Sequence, residues 1–172
     1  MKILSKQKNS RMCMICGLDN EYGVNAPFYN MEDGSVMTVF RYKEQHQSYP
    51  GRVHGGMITA MLDEMGLRSL WAKELSEETF GVTISLDTKY RKPVPYETEL
   101  IGRGVVVKNT SHFIITDSYI MDKDGEILAN GRIKYIKMDT QKIREGIEVH
   151  EEMPYLVEDG RTEIEGPFFD NL

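Results

Sequence analysis

No run of apolar residues in this chain is long enough to span a bilayer, so no transmembrane helix is expected. The N-terminus, MKILSKQKNS, is basic but turns polar after two apolar residues. It lacks the apolar stretch of a secretory signal, and the chain is expected to be cytoplasmic, with no membrane partner. A surplus of basic residues is also missing. Lysine and arginine number 21 against 27 acidic residues, a net charge of −6, and no basic stripe exists to hold the phosphates of a nucleic acid. The imbalance is local: residues 138–172 carry 10 acidic and 3 basic side chains, and the rest of the chain is close to neutral. This acidic tail reads as a solubilising segment. Cysteine is scarce. The two present, in Cys13-Met14-Ile15-Cys16-Gly17, supply half of the four ligands that a structural zinc site usually takes. No thioredoxin-like βαβ pattern surrounds them. They read as a structural pair; zinc would need histidines or a second subunit to complete it, and no metal or cofactor is expected.

Hydrophobic residues make up 40% of the 172, enough for one proper core. Three parts are expected: a leader with the CxxC over 1–23, a globular domain over 24–138, and the acidic tail over 139–172. The leader is polar, with Gly17, Asp19-Asn20 and Gly23 as breakers. Val24 to Asn30 and Ser35 to Arg41 read as strands joined at Met31-Glu32-Asp33-Gly34, and Lys43 to Val53 reads as a loop. A helix is predicted from about His54 to Lys73, with Met57, Ile58, Met61, Leu62 and Met65 on one stripe. Ala60, Leu67, Leu70 and Trp71 extend its apolar surface, so burial on nearly all sides is expected. Ser76 to Thr79 leads out of it. Four strands follow, at Gly81 to Tyr90, Glu97 to Lys108, Ser111 to Met121 and Glu126 to Lys137, and Asp122-Lys123-Asp124-Gly125 is a hairpin signal. The fold class is α+β, an antiparallel sheet wrapped around one long central helix. Beyond Met138 a short helix near Gln141 to Gly146 and an irregular tail are expected.

The stretch that carries chemistry runs from Gln47 to Glu64. Two glycines, Gly55 and Gly56, open the helix although glycine weakens helices. On its own, His54-Gly55-Gly56 is a plain loop-to-helix junction with His54 as the cap. Amides at a helix start also point outward and favour negative charge, so they can polarise a carbonyl and hold a developing oxyanion. Asp63 lies in an otherwise almost wholly apolar helix, with small neighbours at Thr59, Ala60 and Gly66. These suggest a cavity or a close partner beside it. Nine residues from His54 are about 13 Å of rise, and nine steps of about 100° put Asp63 on the opposite face. Asp63 and the helix start can therefore act on one substrate only if they come from two copies of the chain. Glu64, four residues before Arg68, reads as half of an intrahelical ion pair.

The run Gly51-Arg52-Val53-His54-Gly55-Gly56, with a carboxylate nine positions after the histidine, resembles the hotdog-fold thioesterases of the phenylacetate-pathway (PaaI-like) group. So do Gly81 to Pro93, Asp124 to Ala129, and the leader Cys13-x-x-Cys16-Gly17 with Asp19-Asn20-x-x-Gly23. The likeness covers roughly residues 13–138. It implies hydrolysis of an acyl-CoA thioester at a site shared across a homodimer, or across each dimer of a homotetramer. The Gly55 amide would contact the oxyanion and His54 would order the loop. Asp63 of the other subunit would be base or nucleophile, Thr83 would help to position water, and Gln47 and Gly56 would line the substrate pocket. Relatives place a basic pair in the turn between the second and third strands of the final meander. Here the turn is Lys108-Asn109-Thr110-Ser111-His112, so Lys108 and His112, or Arg91 and Lys92, are the basic candidates for the nucleotide phosphates. The alternative is a hotdog module that binds an acyl-CoA, or an aromatic or acyl ligand, without catalysis and without need of Asp63. A hotdog dehydratase is disfavoured, because His54 lies on the wrong side of the helix.

Overall fold

A computed structural model describes residues 1–74, 79–138 and 153–166. The chain order is β1 (Ile3–Lys6), β2 (Tyr29–Met31), β3 (Val36–Phe40), a 3-10 turn (Glu44–His46), β4 (Gln47–Tyr49), β5 (Arg52–Val53), α1 (Gly55–Glu74), β6 (Phe80–Tyr90), β7 (Leu100–Asn109), β8 (Phe113–Met121) and β9 (Ile127–Met138). Seven strands form one antiparallel sheet in the order β1-β2-β3-β7-β8-β9-β6, and β4 and β5 make a separate small hairpin. α1 lies across the sheet, as the sequence patterns require. No described helix is long and apolar enough to cross a membrane.

Alternation sets the sheet's inner face. Ile133 and Tyr135 are buried while Arg132 and Ile136 are exposed, and Ile114, Thr116 and Ser118 point inward from β8. Met61, Leu62, Met65 and Leu70 of α1 are fully buried against this face, each burial stabilising the fold by about 1.5–3 kcal/mol. Two glycines let the layers meet closely. A Cβ on Gly66 would run into the hydroxyls of Tyr135 and Thr116, and one on Gly104 would run into the Met65 backbone. Gly66 is thus small for the sake of its own sheet, and it does not leave space beside Asp63.

Four expectations change. The leader is not only a polar turn: Ile3–Lys6 is a strand, paired with Tyr29–Met31, and residues 153–166 run along its other side through the bridges Lys2↔Glu163 and Asn9↔Tyr155. The segment Lys43–Val53 is not a plain loop, because the turn at Pro50-Gly51, with Gly51 at φ +79°, folds β4 back onto β5. The helix is not buried all round. Gly56 is exposed, and Thr59, Ala60, Asp63 and Leu67 are half-buried at helical spacing. The expected strand Val24 to Asn30 shrinks to Tyr29–Met31, since Asn25, with φ 58°, breaks extended backbone ahead of it. The helix expected near 141–146, and most of the connection after Glu74, lie outside the described residues.

Candidate active site

The half-buried face of α1 looks toward β6, the last strand of the sheet. Side chains of the two elements form a ladder along their length. Tyr90 donates to the Gly55 carbonyl at 3.1 Å, Thr59 Oγ1 lies 2.7 Å from the Tyr90 hydroxyl, and Thr83 Oγ1 donates to Asp63 Oδ1 at 2.8 Å. From the sheet side, Tyr135 donates to the Asp63 main-chain carbonyl at 2.7 Å. Burial pushes the Asp63 carboxyl above its usual range and the neighbouring Glu64 charge adds to the effect, while hydrogen bonding from Thr83 and Tyr135 opposes it. Asp63 is therefore positioned by a hydroxyl yet carries no cationic partner among the described residues.

The helix start has a different character. His54 is the cap: its carbonyl accepts from Met57 and Ile58, and its Nδ1 accepts from the Gly56 amide at 2.9 Å. That acceptor role requires the proton of a neutral ring to sit on Nε2. With Gly56 N–H occupied, the Gly55 N–H is the free one. As the first residue of the helix it has no intrahelical acceptor, and no other hydrogen bond to it occurs among the described residues. Gly55 lines a cleft of about 600 Å³ between the β4–β5 hairpin and the end of β6, whose lining also includes Tyr49, Arg52, Ile58, Tyr90 and Val94.

The residues singled out from sequence divide accordingly. Gly55, Gly56, Arg91 and Lys92 line the cleft, with His54 capping the helix at its edge. Arg91 Nε donates to Asn130 Oδ1 at 2.7 Å and Lys92 pairs with Glu126, so both cations already have local partners. Gln47 is exposed on β4 and pairs with Val53; the adjacent Ser48 and Tyr49 line the cleft, and Gln47 does not. Lys108 is exposed at the opposite end of the molecule, where Asn109 reaches Glu74 at the helix C-terminus, so within one chain it is far from the cleft. His112, in the same turn, is equally remote. Asp63 and Thr83 also lie outside the cleft lining. Eight residues of helix, about 12 Å of rise, separate Asp63 from Gly55.

Sequence reasoning missed Arg52, an exposed cation in the cleft lining with no side-chain partner among the described residues, and Tyr90, which bridges α1 and β6. Arg52 lies within the run Gly51 to Gly56, and nothing in that run by itself marks it as part of a cleft. Tyr90 carried no signal without the register of β6 against α1.

Comparison with known proteins adds three findings. The model of the family described as the thioesterase superfamily matches residues 50–129, which include most of the cleft lining, α1 and β6 to β8. The chain is similar to acyl-coenzyme A thioesterase THEM4 of Rattus norvegicus, at 25% identity over 140 residues that cover 81% of this chain and 57% of that one. It is also similar to acyl-coenzyme A thioesterase 13 of Homo sapiens, at 23% identity over 100 residues, 58% of this chain and 70% of that one. The chain spans a little over half the length of the rodent THEM4 thioesterases that it matches. Among solved structures, a thioesterase superfamily protein superposes with a TM-score of 0.65 at 26% identity, covering 73% of this chain and 63% of that one. A hypothetical thioesterase from Streptococcus pneumoniae TIGR4, solved with coenzyme A, superposes with a TM-score of 0.59 at 19% identity, covering 67% and 90%.

Proposed function

We propose that the chain, whose residues 50–129 match the thioesterase-superfamily model and whose antiparallel sheet with one long helix is a hotdog fold, hydrolyses an acyl-CoA thioester to the free acid and CoA at a site completed by a second copy of itself. One observation carries the reading: Gly55, whose amide has no acceptor among the described residues, lines a cleft, while the carboxylate that could act there lies about 12 Å along the same helix. Neither half is complete alone. The substrate's thioester carbonyl would accept from Gly55 N–H, at the positive end of the helix dipole, and the oxygen's growing negative charge would strengthen that bond in the transition state. Asp63 of the other subunit would take a proton from water as the water oxygen attacks the carbonyl carbon; or it would attack the carbon itself, in which case water then hydrolyses the mixed anhydride left on Asp63 and releases the free acid. The C–S bond then breaks and the CoA thiolate leaves. Thr83 supports this role by holding Asp63 Oδ1 and leaving the other oxygen free, with its own lone pairs able to accept from the water. His54 acts on the loop rather than on the substrate, and Arg52 is a cation available to the nucleotide phosphates at the cleft mouth.

The second copy is supported by what one chain leaves uncovered. β6 is an edge strand carrying Val82 at 46% and Ile84 at 49% exposure, beside the half-buried face of α1. Antiparallel pairing of two such edges would bury these side chains and set the Asp63 of each helix toward the other's Gly55. A dimer of such dimers would leave the site unchanged.

The test mixes two crippled chains and reads free thiol release from a panel of acyl-CoAs. One chain carries Asp63→Asn; the other carries Gly55→Val, whose Cβ would press on the Tyr90 hydroxyl at 3.3 Å. Each homodimer should be nearly inactive. Random re-pairing makes about half the dimers mixed, each with one intact site, so activity should return to about one quarter of wild type. If both variants fold and exchange subunits yet nothing returns, the shared site is wrong.

A further inference from the structure

The leader's cysteine pair lies under the side of α1 that faces away from the proposed substrate site. The ligand atoms of Cys13, Cys16 and Glu64 all lie within 4.8 Å of one another. We propose that these three side chains hold one soft divalent cation, of which zinc is the type, and that this ion fastens the leader to the helix. The sequence offered two ligands; the fold adds the third from a residue 48 positions later than Cys16.

The surroundings fit a metal. Cys13 Sγ accepts the Ile15 amide at 3.3 Å, and Ser10 Oγ lies 3.3 Å from Cys16 Sγ, so the sulfurs are oriented by groups outside the ligand set. The loop itself is fixed: Gly17 N–H donates to the Cys13 carbonyl at 2.9 Å, and a Cβ on Gly17 would run into the Cys13 backbone. Asn9 clamps it from below, donating to the carbonyls of Cys16 and Ala26 at 2.7 and 2.9 Å. Glu64 gives Oε1 to Arg68 Nε at 2.7 Å, which leaves its second oxygen for an ion. Arg68 is 1% exposed and cannot be neutralised by solvent. Two thiolates and a carboxylate bring three negative charges, and a divalent cation with the Arg68 guanidinium brings three positive ones, so the buried cluster closes at zero. Donors around a tetrahedral zinc stand roughly 3.5–3.8 Å apart, so a small side-chain rotation closes the set. Cys13 and Glu64 are only half-buried, which gives the ion a way in and leaves room for a water as fourth ligand.

The check uses the full chain, reduced and stripped with a chelator, and titrated with cobalt(II) and then zinc(II). Cobalt should give thiolate-to-metal charge-transfer absorption saturating at one equivalent per chain, and zinc should displace it. Alkylation of the thiols by iodoacetamide should slow once zinc is bound. Cys13→Ser should weaken zinc binding by more than about 100-fold, and Glu64→Gln by at least about tenfold. The wild-type spectrum does not depend on any variant folding. A reduced wild-type chain that shows no cobalt–thiolate band, with thiols that alkylate equally fast with and without zinc, overturns the proposal. So does zinc affinity unchanged in Cys13→Ser. The outcome is independent of whether the chain hydrolyses acyl-CoA.

Discussion

Asp63 and Glu64 are consecutive carboxylates on one helix, and the molecule treats them in opposite ways. A step of about 100° points them to different faces. Glu64 meets a positive partner: it pairs through one oxygen with buried Arg68, whose guanidinium also donates to Gln7 and the Lys8 carbonyl at 3.1 Å and stacks 4.2 Å from the Phe28 ring centroid. The Asp63 carboxylate receives one hydrogen bond within 3.5 Å, from Thr83, and stands half-buried with no cationic partner among the described residues. A carboxylate whose charge is fully compensated is held for structure. One that is oriented but uncompensated keeps its reactivity for a substrate or a partner surface.

The largest expected effect comes from swapping the two roles' chemistry. Asp63→Asn keeps the shape and removes the base, so acyl-CoA turnover should fall by two or more orders of magnitude, to about the 10²–10⁴-fold scale of general acid–base catalysis, with the unfolding midpoint nearly unchanged. Equal turnover in this variant and the parent would end the catalytic assignment and favour a binding module. Glu64→Gln should show the reverse pattern. Leaving Arg68 buried beside a neutral amide should cost about 3 kcal/mol in a denaturant titration, with kcat within a few-fold of wild type. A rate loss as large as that of Asp63→Asn, at unchanged stability, would erase the contrast between the faces. The smallest effect sharpens it: Thr83→Val removes one hydrogen bond to a charged group, which should lower kcat about tenfold and leave KM for the acyl-CoA little changed.

Much of this contrast was legible in the sequence because it is local. Helical spacing alone separates Asp63 from Glu64, the i,i+4 relation pairs Glu64 with Arg68, and His54-Gly55-Gly56 marks the helix start; the structure bears out the ion pair and the cap. The four long strands were also legible, since turn residues separate them and the last alternates at Ile133 and Tyr135. What was not legible depends on contacts distant in sequence. Ile3–Lys6 is too short and mixed to read as a strand, and becomes one only because Tyr29–Met31 pairs with it. The closeness of Glu64 to Cys13 and Cys16 requires the leader to fold under α1. Where Lys108 stands is another such case: its turn does not reveal that β7 carries it to the helix C-terminal end, away from the cleft of its own chain. Arg52 was in plain view, and only the cleft around it distinguishes it from other surface arginines.

The strap formed by residues 153–166 has a consequence for how large an assembly can grow. It runs beside β1, taking the Ile3 amide on the Thr162 carbonyl and the Ile164 amide on the Met1 carbonyl, each at 2.9 Å, while the N-terminal amine donates to the Ile164 carbonyl. One border of the sheet is thereby sealed from within the chain, and β6 is the other border. A sheet with two open borders can add copies without end, head to tail, as fibres do. A sheet with one open border can be joined only once, by a two-fold operation that uses up both copies' free strands. On the proposed pairing through β6, the strap therefore acts as a terminator: it makes that pairing self-limiting, so growth of the sheet across its strands, in the hydrogen-bonding direction, is blocked by the same segment that holds the N-terminus in place.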